Sequence, residues 1–377
     1  MEIKLLDLQR QYKVLGKKIQ ANTTRVYKHG QFILGPEILQ LEEKLAKYCG
    51  AQQAIACSSG TDALLLALMA KDIGPGDAIF TTTFTFVATG EVIARLGARP
   101  VFVDIDPDTK NMNPADLEKR IEAVKKEGKW KPRGIITVDL FGLMADYDAI
   151  EKIAQKHGLF ILEDAAQSFG ASYKNRKAGN LGEIAATSFF PAKPLGCYGD
   201  GGAIFTNNSG LAEKVRSMRA HGYGSHKYDH VRLGINGRMD TLQAAILLAK
   251  LGIFNSEIKK RQGIAKRYNQ AFAGRAQIPL MPTDGTCVWA QYSLMMDNRD
   301  AFIAAMQQMK IPTAIYYPIP LHRQVVFQSL GYQKMDFPVA ESVAERIVSL
   351  PIHPYLKDAE INRIIQSTLQ AIVSSKS

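Results

Sequence analysis

The chain carries four cysteines in 377 residues, Cys49, Cys57, Cys197 and Cys287, and none stands in a C-x-x-C spacing. That scatter argues against a structural zinc site and against a disulfide framework, and no metal centre is expected. No run of about eighteen uncharged apolar residues occurs, so no segment is suited to span a bilayer. The opening stretch, MEIKLLDLQRQYKVL, lacks the apolar centre of a secretory leader. It is expected to begin the mature chain, with the cytoplasm as the expected compartment. There is no G-x-x-x-x-G-K-[ST] pattern, which excludes a P-loop. The one dense glycine group, GDGG at 199–202, precedes the strand-like AIFT, whereas a dinucleotide fingerprint must follow a strand and open a helix. A nicotinamide dehydrogenase is therefore disfavoured. Acidic residues are the minority, 36 against 47 basic, for a net charge of +11. The basic residues are dispersed, however, and the densest cluster, KKEGKWKPR (125–133), reads as a solvated loop. Anionic small substrates account for that balance as well as nucleic acid would, and no nucleic-acid partner is expected.

What is present is a repeated alternation, with no internal repeat or low-complexity tract beneath it. Strand-like DAIFTTT (77–83), RPVFVDID (99–106), RGIITVDLFG (133–142) and LFILEDAA (159–166) are separated by helical patterns at 86–97, 113–126 and 146–158. Asn113-Pro114 supplies a cap and first-turn proline for the second of these. IAATSFF and GGAIFT add two short strands. The order implies an α/β fold, a mainly parallel central sheet sandwiched by helices. After the helix RMDTLQAAILLAKLGIF (238–254) the pattern becomes mixed, with a helix at 259–274, a strand at 289–296 and a helix at 300–310. The expected division is therefore 1–254 and a smaller C-terminal α+β domain, 255–377. In such sheets ligands sit beyond the carboxyl ends of the strands.

Three features fall there. Ser58-Ser59-Gly60-Thr61 opens an apolar helix whose first N–H groups can receive an anion such as phosphate, or can simply be a capped helix start. Glu163-Asp164 ends a buried strand; Asp164 can serve a metal, a ribose, a protonated ring nitrogen or a structural salt bridge. In SFFPAKPLGCYGDGG (188–202), Ser188 and then Lys193 arrive at the same region, and the lysine is framed by two prolines. A partly desolvated amine has a lowered pKa and can condense with an aldehyde. The glycines after it fit a tight turn that lets backbone approach a flat ligand. An anion nest, an acid and an isolated amine together match pyridoxal 5′-phosphate.

On FILGPEILQLEEKLAKYCG, SSGTDALLLAL, EDAAQSFGA, SFFPAKPLGCYGDGG, GINGRMDTLQAAIL and YYPIPLH, the chain resembles the DegT-type sugar aminotransferases. These are fold type I pyridoxal-phosphate enzymes acting on nucleotide-linked keto-sugars. The resemblance implies that Lys193 joins the cofactor aldehyde and that Asp164 pairs with the ring nitrogen. Gln167 would contact the ring hydroxyl, Ser188 and the Gly60-Thr61 turn the phosphate, and Phe86 the ring face. Asn236 would reach the phosphate in a neighbouring subunit, so a homodimer with shared sites is implied. Arg238, Tyr316, Tyr317 and His322 are implied substrate contacts, although Tyr316-Tyr317 stands where some members have His-Tyr. For His322 a solvated surface position is the alternative.

The Gly-Asp-Gly-Gly variant is similar to members that aminate C3, and a UDP-linked 2-acetamido-3-oxo uronic acid is the expected substrate, with glutamate the expected donor. Such a sugar is a precursor of bacterial surface polysaccharide. The alternatives are C4 amination of a dTDP- or UDP-4-keto-6-deoxy sugar, or a non-enzymatic cofactor-binding regulator. A regulator is expected to carry an added DNA-binding helix pair, and no segment for one is expected here. A dehydratase on the same fold would have histidine at position 193.

Overall fold

The alternation is present in the computed structural model, which describes residues 2–226, 228–333 and 336–375. Helices α1 (Leu8–His29) and α2 (Pro36–Cys49) come first. Then follow β1 (Gln53–Cys57), α3 (Gly60–Ala70), β2 (Asp77–Thr82), α4 (Ala88–Arg95), β3 (Arg99–Val103), α5 (Pro114–Glu127), β4 (Lys131–Val138), α6 (Tyr147–His157) and β5 (Phe160–Asp164). A short pair, β6 (Ser172–Tyr173) and β7 (Arg176–Lys177), leads to β8 (Ile184–Ser188), β9 (Gly202–Thr206), α7 (Ser209–Met218) and α8 (Thr241–Leu251). The rest comprises α9 (Phe254–Phe272), β10 (Gly285–Thr286), β11 (Tyr292–Met295), α10 (Arg299–Gln308), α11 (Pro338–Arg346), β12 (Ile347–Leu350) and α12 (Asp358–Ser374).

Seven strands form one sheet in the order β1-β9-β8-β5-β4-β2-β3. The run from β8 to β3 is parallel throughout, and only β9 lies antiparallel to its two neighbours. Both faces are covered, which is why the strands read as continuous apolar runs. Ile135, Ile161 and Phe205 point into one core with α2, α5, α6 and α8. Their neighbours Ile136, Leu162 and Ile204 point into the other, with α3, α4 and α7. The fold is the expected α/β sandwich. Asn113 caps α5 as its spacing predicts, accepting from the N–H groups of Ala115 (2.9 Å) and Asp116 (3.3 Å). The stretch 125–133 is not a plain loop: α5 runs to Glu127 and β4 begins at Lys131, because Gly128 in the left-handed region closes the helix within one residue.

Beyond the sheet, α9, α10 and α12 pack on the β11–β12 pair around Tyr268, Phe272, Leu294, Phe302, Val348 and Ile364. Helix α9 serves two cores. Phe254 and Ile258 belong to the sheet's core, while Ile264, Tyr268 and Phe272 belong to the second. No described helix is long and apolar enough to cross a membrane.

The second core holds a pH-sensitive group. His353 is 1% exposed, and burial, reinforced by the charge of Arg261, pushes its pKa down to about 4. The unfolded chain takes up this proton near 6.5 and the folded chain resists it, so stability present above pH 6.5 is lost as pH falls toward 4. The effect is on the order of 3 kcal/mol at most. His353→Asn should flatten the fall in thermal unfolding midpoint between pH 7 and pH 4.5; equal slopes for variant and wild type would remove His353 as the cause.

Candidate active site

Parallel pairing sets the site's geometry. β5 and β8 are neighbours, with Asp164 opposite Ala186, so their last residues, Asp164 and Ser188, leave the sheet at one edge. Because successive strand residues face opposite ways, the two acids of LFILED have separate roles. Glu163 is wholly buried and accepts from the N–H groups of Gly179 (2.6 Å) and Leu181 (3.0 Å), a structural role. Asp164 Oδ2 accepts from the Thr89 hydroxyl at 2.9 Å and Oδ1 from the Ala166 N–H at 3.2 Å. Burial raises the Asp164 pKa, while those hydrogen bonds and the nearby Lys193 charge act against the rise.

Lys193 sits in a loop that closes on itself. Its N–H donates to Phe190 O (2.8 Å), Phe189 N–H to Gly201 O (2.7 Å) and Cys197 N–H to Phe189 O (2.7 Å). The amine has no hydrogen bond or ion pair with any described residue. Desolvation lowers its pKa, and the Asp164 charge offsets part of that. An amine so placed is available as a nucleophile and as a base.

The start of α3 lies beside them. Ser59 caps the helix by accepting from the Asp62 N–H at 3.0 Å, and Ala63 N–H reaches Ser59 O at 3.0 Å. The N–H groups of Gly60 and Thr61 have no partner among the described residues, which leaves an anion receptor at the helix's positive end. Glycine is required at 60, since a Cβ there would stand 2.6 Å from Ser188 Cβ. Ser188 Oγ accepts from the Phe190 N–H at 3.2 Å. A Cβ at Gly202 would meet Ser59 O at 2.3 Å and one at Gly199 would meet Gln243 at 2.9 Å, so they make room for protein.

Gln167 is buried, with Oε1 accepting from Phe141 N–H (2.6 Å) and Nε2 donating to Tyr317 Oη (3.0 Å). One of its two amide protons remains unassigned. Tyr317 lies 6.3 Å ring to ring from Phe86, 6.2 Å from Phe84 and 6.0 Å from Tyr316. Phe86 is 53% exposed, so it is not a core residue. The structure thus brings Asp164, Lys193, Gln167, Phe86, Ser188, Gly60, Thr61, Tyr316 and Tyr317 to one region.

Asn236 and Arg238 pair with each other on the segment that meets the start of α3. Arg238 Nε donates to Asn236 Oδ1 at 2.9 Å, and Gly237 O accepts from Ser58 N–H at 2.9 Å. No hydrogen bond or ion pair joins either side chain to Asp164, Gln167 or Lys193. His322 corrects both expectations made for it. It is 3% exposed, with Nδ1 2.7 Å from Thr83 Oγ1 and Nε2 2.8 Å from Glu341. With both nitrogens engaged, it ties the C-terminal part to the loop after β2 and has none left for a substrate. Thr89 escaped notice in the sequence because a threonine in a first helical turn looks like a cap, and only the fold reveals its contact with Asp164.

The partnerless amine, the buried acid and the unfilled N–H pair fit a phosphorylated, aldehyde-bearing ring. The profile of the DegT/DnrJ/EryC1/StrS aminotransferase family matches residues 13–369. A UDP-2-acetamido-2-deoxy-3-oxo-D-glucuronate aminotransferase from Pseudomonas aeruginosa is 47% identical over 96% of this chain and 98% of that one. A pleiotropic regulatory protein from Geobacillus stearothermophilus is 42% identical over 97% of each chain. Among solved structures, a DegT DnrJ EryC1 StrS aminotransferase from Brucella abortus superposes with a TM-score of 0.95 at 49% identity, covering 97% of this chain and 98% of its own.

Thr89→Val removes a hydrogen bond that favours the ionised Asp164. The carboxyl should then titrate at higher pH, measured in the cofactor-free protein by the ¹³Cγ shift of Asp164. An unmoved titration would show that Thr89 does not tune it.

Proposed function

We propose, from the fact that this chain belongs to the DegT/DnrJ/EryC1/StrS aminotransferase family, that it moves an amino group from glutamate to C3 of a UDP-linked 2-acetamido-3-oxo uronic acid. The carrying observation is Lys193, a desolvated amine without a partner, beside the buried Asp164. The protein is a pyridoxal-phosphate-dependent aminotransferase, and the cofactor supplies an exchangeable aldehyde and an electron-withdrawing ring.

Each residue then has a task. The N–H groups of Gly60 and Thr61, with Ser188, hold the phosphate. Asp164, whose ionised form the Thr89 hydroxyl and Ala166 N–H favour against burial, would hold a proton on the ring nitrogen. The spare proton of Gln167 Nε2 meets the ring hydroxyl, and Phe86 covers the ring face. Nζ of Lys193 takes the proton from the reacting carbon of the donor and returns one to the sugar carbon. Arg238 suits a carboxylate-bearing substrate, with Tyr316 and Tyr317 along its path. The division into 1–254 and 255–377, and a cytoplasmic location, belong to the same reading.

Amination at C3 is favoured by the 47% identical relative, whose name specifies a 3-oxo sugar. A C4 keto-sugar is the alternative. A non-enzymatic cofactor-binding regulator is the second alternative, and the 42% identical relative named as a pleiotropic regulatory protein is what supports it. A second copy of the chain would complete the site. Phe32, Ile33 and Leu34 are each more than 40% exposed, and Leu233, 90% exposed, lies three residues before Asn236. Docking these apolar residues against a partner would carry Asn236 and Arg238 to the partner's cofactor.

A panel of 3-keto and 4-keto nucleotide sugars with glutamate, products located by NMR, should show nitrogen at C3; nitrogen at C4 alone would select the alternative. Lys193→Ala should lower turnover by at least about a thousandfold. When Lys193→Ala and Asn236→Ala chains are mixed and re-formed into dimers, activity should return to up to about a quarter of wild type, through dimers that keep one complete site. No recovery, with mixed dimers demonstrated, would mean that the sites are not shared.

A further inference from the structure

Lys250 is a lysine in the wrong place for its chemistry. It lies in α8, 1% exposed, in the layer that covers the sheet. Burial pushes its pKa down to about 8, with Glu257 and Cys197 acting in the opposite direction. A leucine would fill this position without desolvating an amine. The side chain has one hydrogen-bond partner among the described residues, the carbonyl of Gly196 at 2.5 Å, and its amine stands 4.0 Å over the Tyr198 ring.

Both contacts are in the loop that carries Lys193. Gln243, seven residues earlier and so two turns back on the same helix face, holds that loop as well. Its Oε1 accepts from Tyr198 N–H at 3.0 Å, and its Nε2 donates to Tyr198 O at 3.4 Å. Only Pro194 and Leu195 separate Lys193 from Gly196. The first has a fixed φ and the second is 1% exposed, so the short link has little freedom to absorb a shift. Helix α8 also begins directly after Asn236 and Arg238, at Thr241.

From this geometry, and resting on the function proposed above, we infer that Lys250 is a positioning residue: with Gln243 it clamps the 196–198 backbone and thereby sets where the Lys193 amine stands. It touches neither cofactor nor substrate. Its loss should therefore leave binding intact and misplace the reacting amine, an error that lowers turnover steeply.

The test uses the holoenzyme and Lys250→Met, which keeps the length and removes the donor. The expected result is a fall in kcat of roughly ten- to a hundredfold. KM for donor and sugar should be unchanged, the visible band of the bound cofactor should titrate at a shifted pH, and Lys250→Arg should recover part of the rate. Unchanged kcat and an unmoved titration would overturn the inference. Should Lys250→Met not fold, Gln243→Leu, which loosens the other arm, must show the same kcat-selective loss or the clamp is rejected. Hydrogen exchange keeps this separate from the functional reading. A wild type without a visible band would defeat that reading alone, whereas unchanged exchange at 194–199 in cofactor-free Lys250→Met would defeat the clamp.

Discussion

An amine and a carboxyl group share a desolvated corner at the carboxyl ends of β5 and β8, with no hydrogen bond or ion pair between them. Burial drives the Lys193 pKa down and the Asp164 pKa up, so each tends toward its uncharged form, and their mutual attraction resists both shifts. Asp164 is anchored by Thr89 and Ala166, and Lys193 is left without a partner. A protein gains little stability from such an arrangement. It makes sense when a third body, carrying an aldehyde at one end and a basic nitrogen at the other, stands between them. The rest of the site follows from that constraint: an anion nest at α3, an aromatic ring left exposed at Phe86, and a glutamine with one proton to spare.

The scaffold converts this pair into a fixed geometry by distributing support over distant segments. Thr89 comes from α4, Phe141 N–H from the turn after β4, and Tyr317 from the C-terminal part. His322 joins that part to Thr83, a short step along the chain from Phe86. Lys250 and Gln243 hold the reactive loop from behind. Loops carry the chemistry, and helices on both sheet faces decide where those loops stand.

Much of this was legible in the sequence because it is local. Runs such as FILED and IAATS announce strands, and Pro191 and Pro194 announce a framed lysine. The topology rule for parallel sheets then places Asp164, Ser188 and Lys193 together. What was not legible depends on packing between segments far apart in the chain. Thr89 lies 75 residues from Asp164, and His322 lies 239 from Thr83. A histidine with both nitrogens used inside looks no different, in one dimension, from one that meets a substrate. The GDGG glycines show a similar limit: the sequence shows that something approaches closely, and only the fold shows that Ser59 stands against Gly202 and Gln243 against Gly199. Arg238 and Asn236 pair with each other, and on the proposed reading they serve the site of a second copy.

The most direct test of the central claim is covalent. Purified protein loaded with pyridoxal 5′-phosphate is reduced with borohydride, digested and read by mass spectrometry. The account predicts that the added mass of the reduced cofactor falls on the peptide containing Lys193, at that residue alone. Label on Lys250 or on surface lysines, with Lys193 unmodified, would contradict it.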